Sequence, residues 1–381
     1  MREIETIIIG GGVAGLGCAR SLSDAGNNNF LVVTKDIVGS IPESKDTNVN
    51  LGAYYIQSSY HNFLPYVDIR RRIRLHEGIW LGEEGERAVF DLRNLPHVWV
   101  YVRFMLWLRK FHRHHEELKR RTATESLRSA LEKDPFLQQL YNQPGAKFVR
   151  DHHLEYWSRH FMNQVSRALG FVDVSEITGF IFCLGMLTIV YPMYEFDYQV
   201  DRLVRPFKKK ILMDEVIRIK RQGDQWQVTS VSGKSFMSRN LVVATPTDTA
   251  CALLKIEHER NTVARAFSAH LRGTVKANLD GDRYVFLSQR SGDLALARQD
   301  DGTFVFYSHR RDYDLSDYFD DYEVISTRAW DPAFYLGSHI LDEDRGNNCY
   351  VVGGHNITFI ENALISGQFA AHKILQQASL Q

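Results

Sequence analysis

Residues 7–16 read Ile-Ile-Ile-Gly-Gly-Gly-Val-Ala-Gly-Leu, an apolar strand running directly into G-x-G-x-x-G, with a helical run from Leu16 to Ala25 behind it. No other stretch constrains the fold as much. In a strand–turn–helix of this kind Gly10 permits the tight turn, Gly12 lets backbone approach a pyrophosphate, and Gly15 lets the helix pack close to the strand. The helix N-terminus, at Val13 and Ala14, then faces the phosphates with N–H groups that lack helical partners and with a favourable dipole. A dinucleotide site near the start of an α/β protein is expected.

Residues 349–375 read as a short apolar strand, a Gly353-Gly354 turn and a helix rich in small residues. Gly353 and Gly354 suit close approach of backbone to a ligand, and Gly367, Ala370 and Ala371 suit close helix packing. Together the two ends resemble the superfamily of flavin amine oxidases, protoporphyrinogen oxidases and phytoene desaturases. The resemblance implies FAD as the dinucleotide, with the C-terminal segment closing over it through Gly354, His355, Glu361, Asn362, Ala363, Ser366, Gly367 and Ala371.

A third segment agrees. Tyr191-Pro192 precedes a helix, Val216 takes the position that contacts the adenine side in the superfamily, a hairpin runs from Ile217 to Phe236, and Val242-Val243-Ala244-Thr245-Pro246 closes the unit. The alternation around Trp226, Val228 and Ser230, with a turn at Ser232-Gly233, supports the hairpin independently. Asn50-Leu51-Gly52-Ala53-Tyr54-Tyr55 resembles the second flavin-contact turn, in which Gly52 and Ala53 let backbone N–H groups reach the ring edge.

The sequence departs from the pattern at two points. The acidic residue that usually ends the second strand and binds the ribose is replaced by Thr34, followed by Lys35 and Asp36. Thr34 or Asp36 then takes the ribose, and Lys35 is placed to read a phosphate nearby. The Gly-Gly-Arg that usually follows is shortened to Val38-Gly39-Ser40, and His355 stands where an acid is usual. A divergent member is implied.

Between these segments Leu95 to Lys119 is aromatic and basic, and Thr122 with Glu125 reads as a capping box opening the next helix. His112, His114 and His115 lie close together there. With no carboxylate or cysteine set beside them they read as a solvated basic face, and no metal site is expected. Residues 152–169 and 177–191 read as two more helices. The stretch from Ile177 to Tyr194 is uncharged but interrupted by Gly179, Gly185 and Pro192, so it reads as a buried helix lining an apolar cavity. Beyond Pro246 the chain is strand-rich, over 274–278, 283–288, 293–297 and 303–308, with turns at Asp280-Gly281 and Asp301-Gly302. The resemblance places Lys276 where amine oxidases hold a water against flavin N5, and Trp330, with Phe334 and Tyr335, in an aromatic wall near the flavin.

With 381 residues, 44% of them hydrophobic, two domains are expected. Residues 1–91, 201–255 and 336–381 would build a discontinuous Rossmann-type FAD domain. Residues 92–200, mainly helical, and 256–335, mainly sheet, would build a mixed α+β substrate domain. The 46 basic and 46 acidic residues balance, so no bulk field recruits nucleic acid or membrane. Four scattered cysteines and a first strand beginning within a few residues of Met1 suggest a reduced, cytoplasmic protein without a signal peptide.

The resulting expectation is an FAD-dependent oxidase or desaturase that removes a hydride from an apolar or aromatic small molecule, such as an amine or an activated C–C unit. Three readings share the scaffold: a flavin monooxygenase, a redox-neutral flavin isomerase, and a non-catalytic binding protein. Substrate identity and oligomeric state are not legible in the sequence.

Overall fold

The computed structural model describes residues 3–379 except 38–40, 45–46, 48, 54, 75–76, 83–84, 88–90, 260, 281–282 and 289–291. Val38-Gly39-Ser40, Tyr54 and Gly281 therefore lie outside the described residues.

The fold is α/β and rests on two seven-stranded sheets. The first is ordered β8 (Ile211–Met213), β2 (Phe30–Thr34), β1 (Glu3–Ile9), β11 (Ser235–Val243), β10 (Gln225–Ser230) and β9 (Val216–Gln222), and β17 (Cys349–Val351) also pairs with β11. Strands β8, β2, β1, β11 and β17 run parallel, while β9 and β10 form the antiparallel hairpin read from the sequence. Ile7, Ile8, Val242 and Val243 are wholly buried, as a strand covered on both faces requires. Helix α1 (Val13–Asp24) and the last helix pack together on one face. Their crossing is tight, since a Cβ on Gly367 would lie 2.0 Å from the Ala14 carbonyl oxygen.

The second sheet is ordered β16 (Phe319–Leu336), β12 (Thr262–Val275), β15 (Phe304–Ser308), β14 (Asp293–Arg298), β13 (Tyr284–Phe286), β5 (Gly78–Gly82) and β6 (Gly85–Arg87). The first expected strand of this region is displaced. β12 ends at Val275, near where the 274–278 strand was expected to begin, because its pairing with β16 sets the register upstream, from Thr262 onward. A small third sheet joins β3 (Ile56–Gln57) and β4 (Val67–Ile73) to β7 (Met193–Tyr198).

The helical block comprises α2 (Val98–Thr122), α3 (Leu127–Glu132), α4 (Pro135–Asn142), α5 (Gly145–Asp151), α6 (Glu155–Trp157), α7 (Asn163–Gly170) and α8 (Gly179–Met186). The expected capping box is not formed. Thr122 is the last residue of α2 and donates back to the Leu118 carbonyl, and Ser126 caps α3 instead by accepting from the Ser129 N–H. Helix α8 is short and buried, and no described helix is long and apolar enough to cross a membrane. Helices α9 (Val200–Val204), α10 (Thr247–Leu254) and α11 (Ile360–Ala378) complete the chain.

Candidate functional site

The turn after β1 has the shape its glycines predict. Gly10 has φ +110°, and a Cβ there would lie 2.4 Å from the Ala244 carbonyl oxygen. A Cβ on Gly15 would lie 2.0 Å from the Gly10 carbonyl oxygen, so helix and strand meet at backbone distance. Gly12 stands at the N-cap of α1 and offers no side-chain cap, and the first turn holds no acid. The first helical hydrogen bond runs from Leu16 N–H to the Gly12 carbonyl. The N-terminus thus remains available to an anion.

Thr34, at the end of β2, is buried with its hydroxyl committed on both sides: it accepts from the Gly11 N–H at 2.7 Å and donates to the Asp36 carbonyl at 2.5 Å. This side chain shapes the turn and has no spare donor for a ribose. Lys35 is exposed and ion-paired at 2.5 Å with Glu215, an acid that sequence reasoning missed. Glu215 directly precedes Val216, which is buried at the start of β9. Lys35 and Glu215 therefore meet beyond the end of β2.

The C-terminal segment returns to the same turn. Val352 N–H donates to the Val243 carbonyl, and Ala244 N–H to the Ile9 carbonyl, which stacks Gly353-Gly354 and Ala244-Thr245 beside Gly10. Gly353 has φ +145°, a glycine conformation. Gly354 has room around it, the nearest atom to a Cβ being 3.7 Å away. Thr245 Oγ1 is buried without a hydrogen-bond partner. An orphaned hydroxyl beside an uncapped helix N-terminus and a glycine cradle fits a bound dinucleotide.

Two expected contacts turn elsewhere. The His355 ring is buried, donating to the Val352 carbonyl (3.1 Å) and accepting from the Thr247 hydroxyl (2.7 Å), and burial pushes its pKa down to about 4. The Glu361 carboxylate accepts from Asn62 N–H, Asn62 Nδ2 and Phe63 N–H and lies 3.7 Å from the Lys119 ammonium. Both act as struts. Asn362 and Ala363 lie in the first turn of α11.

The Asn50–Ala53 turn is held from the second sheet. Trp330 donates its indole N–H to Ser268 Oγ (3.2 Å), and Ser268 donates to the Leu51 carbonyl (3.1 Å). Tyr307 donates to the Gly52 carbonyl (3.4 Å), and Phe171 stacks between Tyr307 and Phe334. Tyr307 and Phe171, which no sequence motif marked, thus join Phe334 in an aromatic stack near this turn. Asn50 Oδ1 is buried and unpartnered in the same turn.

Lys276 is not at this place. It follows the end of β12 and caps a 3-10 turn, with its N–H on the Tyr318 carbonyl. At about 3.3 Å per strand residue it lies some 25 Å along the strand from Ser268. The amine-oxidase position was assigned by local similarity, and the register of β12 removes it.

A pocket opens between the helical block and the second and third sheets. Phe161, Val165 and Leu169 form one wall, Ile73 and Met193 a second, and Tyr284 and Phe286 a third, while Tyr55, Thr188 and Gly78 complete it. Among the described residues Arg74 is its single charged lining residue. Tyr55 lies three residues from Gly52, at most about 10 Å of chain.

The histidine cluster is not a solvated face. His114 bonds Asp134 at 2.7 Å and His112 lies over Tyr191. His115 is buried with both ring nitrogens unpartnered, stacked on Phe111 and edge-on to Phe180. Among the described residues no three His, Cys, Asp or Glu side chains converge as metal ligands. Desolvation, reinforced by Lys119 and His112, holds the His115 pKa well below its ordinary 6.5. Below pH 6.5 the unfolded chain binds a proton there that the native chain refuses, so stability falls as pH falls. His115→Phe removes two unsatisfied polar atoms. The variant should be more stable by about 1–2 kcal/mol at neutral pH and should lose part of the acid-side decline, both read from urea midpoints across pH. Equal or lower stability would mean that the ring has partners.

No family model matches the sequence, and no curated protein matches it. Solved structures do match in shape. Putrescine oxidase bound to putrescine superposes with a TM-score of 0.68 at 10% identity, over 98% of this chain and 99% of that one. Cyclohexylamine oxidase from Brevibacterium oxydans gives 0.67 at 13%, over 99% and 100%. A fatty acid isomerase from P. acnes that produces CLA gives 0.65 at 13%, over 98% of each. Identities this low speak for the fold alone. Over nearly its whole length the chain has the fold that these three proteins share.

Proposed function

We propose that the protein is an FAD-dependent oxidoreductase of the oxidase or desaturase type. The observation that carries this reading is the uncapped, glycine-lined N-terminus of α1 with the orphaned Thr245 hydroxyl beside it. Gly10, Gly12, Val13, Ala14 and Gly15 would hold the pyrophosphate. Lys35, Asp36, Glu215 and Val216 would hold the adenosine. Thr245, Gly354, Asn362 and Ala363 would line the path toward the Asn50–Ala53 turn, where backbone N–H groups of Gly52 and Ala53 favour negative charge on the ring. When bound, FAD supplies the hydride acceptor, which oxygen or another acceptor then reoxidises.

The chain's own part is to orient the substrate and keep water out. The pocket walls suit an apolar molecule, and Tyr307, Phe171 and Phe334 stack beside the Asn50–Ala53 turn. Among the described residues no carboxylate lines the pocket, and Arg74 would repel a protonated amine. That balance favours an activated C–C unit in a neutral or acidic molecule. The four free cysteines support a reducing, cytoplasmic setting.

The test begins with the visible spectrum of freshly purified protein and identification of the cofactor released on denaturation. Yellow protein releasing FAD is expected, and anaerobic addition of apolar unsaturated compounds should then bleach the flavin band. Colourless protein that takes up no added FAD would overturn the reading and leave the binding-protein alternative.

A further inference from the structure

Helix α2 has two apolar sides. Phe104, Leu108, Phe111 and His115 face the core, while Val98, Trp99, Val102 and Leu106 face outward, Trp99 being 74% exposed and Leu106 58%, and Leu95 in the turn before the helix is exposed as well. Leu92, in the turn leading into the helix, is 79% exposed. At about 100° per residue these outward side chains fall within one sector of roughly 120°. Arg103, Arg109, Lys110 and Arg113 are exposed and continue the same side over the following turns. From Val98 to His115 the helix carries no acidic residue. Isolated exposed leucines are ordinary, but a contiguous stripe of this length marks a surface that something covers.

We propose that this face docks on an anionic phospholipid bilayer. Leu92, Leu95, Trp99 and Leu106 would enter the acyl boundary, and the four cations behind them would meet lipid phosphates. Charge complementarity selects the occupant. An apolar stripe followed by cations matches a surface whose interior is hydrocarbon and whose headgroups are negative, and tryptophan is at home at that boundary. A second copy of the chain would bring the same cations to the same face. The balanced net charge of the chain does not oppose this, because the field that matters is that of the patch, within about 10 Å. The inference rests on surface residues alone and stands apart from the flavin.

The test uses the full chain as purified, floated on a density gradient with vesicles of phosphatidylglycerol and phosphatidylcholine in equal parts, against vesicles of phosphatidylcholine alone. The protein should float with the anionic vesicles, less with the neutral ones, and less as salt rises. Trp99→Ser with Leu106→Ser, and separately Arg109→Glu with Arg113→Glu, should each lower lipid affinity by about ten-fold or more. All four side chains are exposed, so the thermal midpoint of either variant should stay where it is. Protein left unfloated by both vesicles would overturn the proposal, as would variants that bind like the parent. So would a dimer in solution that the apolar double variant turns into a monomer without any lipid binding, since the face would then belong to a second copy.

Discussion

Gly12→Val should give a folded protein without FAD, with affinity for added FAD at least about a hundred-fold weaker than in the parent. The backbone of Gly12 has φ −75° and ψ 175°, extended values that valine adopts freely, so the substitution adds no strain to the turn. It adds instead an isopropyl group in front of the uncapped N–H groups of α1, where a phosphate would have to come. Gly10→Val is the instructive contrast. Gly10 has φ +110° and backbone atoms within 2.4 Å of any Cβ, so valine there should damage the fold itself. Visible absorption and thermal melting, measured on both variants with and without added FAD, separate the two effects. A yellow Gly12→Val protein with one FAD per chain would place the phosphates elsewhere.

Glu361→Ala should lower stability by about 3–5 kcal/mol. The carboxylate is 1% exposed, receives three hydrogen bonds from Asn62 and Phe63, and faces the buried Lys119 ammonium. Alanine would leave those donors without an acceptor and leave the ammonium only Glu116 and the Ser59 carbonyl, at 2.6 and 2.7 Å. Glu361→Gln keeps an acceptor oxygen and should recover part of the loss. Urea midpoints decide the matter. A change below about 1 kcal/mol in the alanine variant would mean that water substitutes for the carboxylate.

What was legible in the sequence is what backbone chemistry writes locally. Gly10, Gly15 and Gly353 announce themselves because no other residue suits those conformations or approaches, and the β9–β10–β11 hairpin is carried by alternation and turns. Placement along a long strand is another matter. Lys276 resembles an amine-oxidase lysine within its own few residues, but the pairing of β12 with β16 decides how far it lies from the turn. Side-chain direction was equally hidden. Glu361, Thr34 and His355 were expected at the site, and each bonds to a partner that only the fold brings near. Helix α2 defeated periodicity for a specific reason: with apolar residues on both sides, the pattern cannot say that His115 points inward and Trp99 outward. The Trp330–Ser268–Leu51 relay joins segments from three parts of the chain and left no local trace.

The close crossing of α1 and α11, where Gly367 sits against the Ala14 carbonyl, also sets an order of events during synthesis. Within the sequence the turn that would grip the pyrophosphate is made well before the helix that backs it. At about 5–20 residues per second the nascent chain waits tens of seconds with one face of β1 and β2 uncovered. β17 cannot join β11 until that wait is over. A dinucleotide bound at that turn would therefore meet its complete site only once α11 has been made.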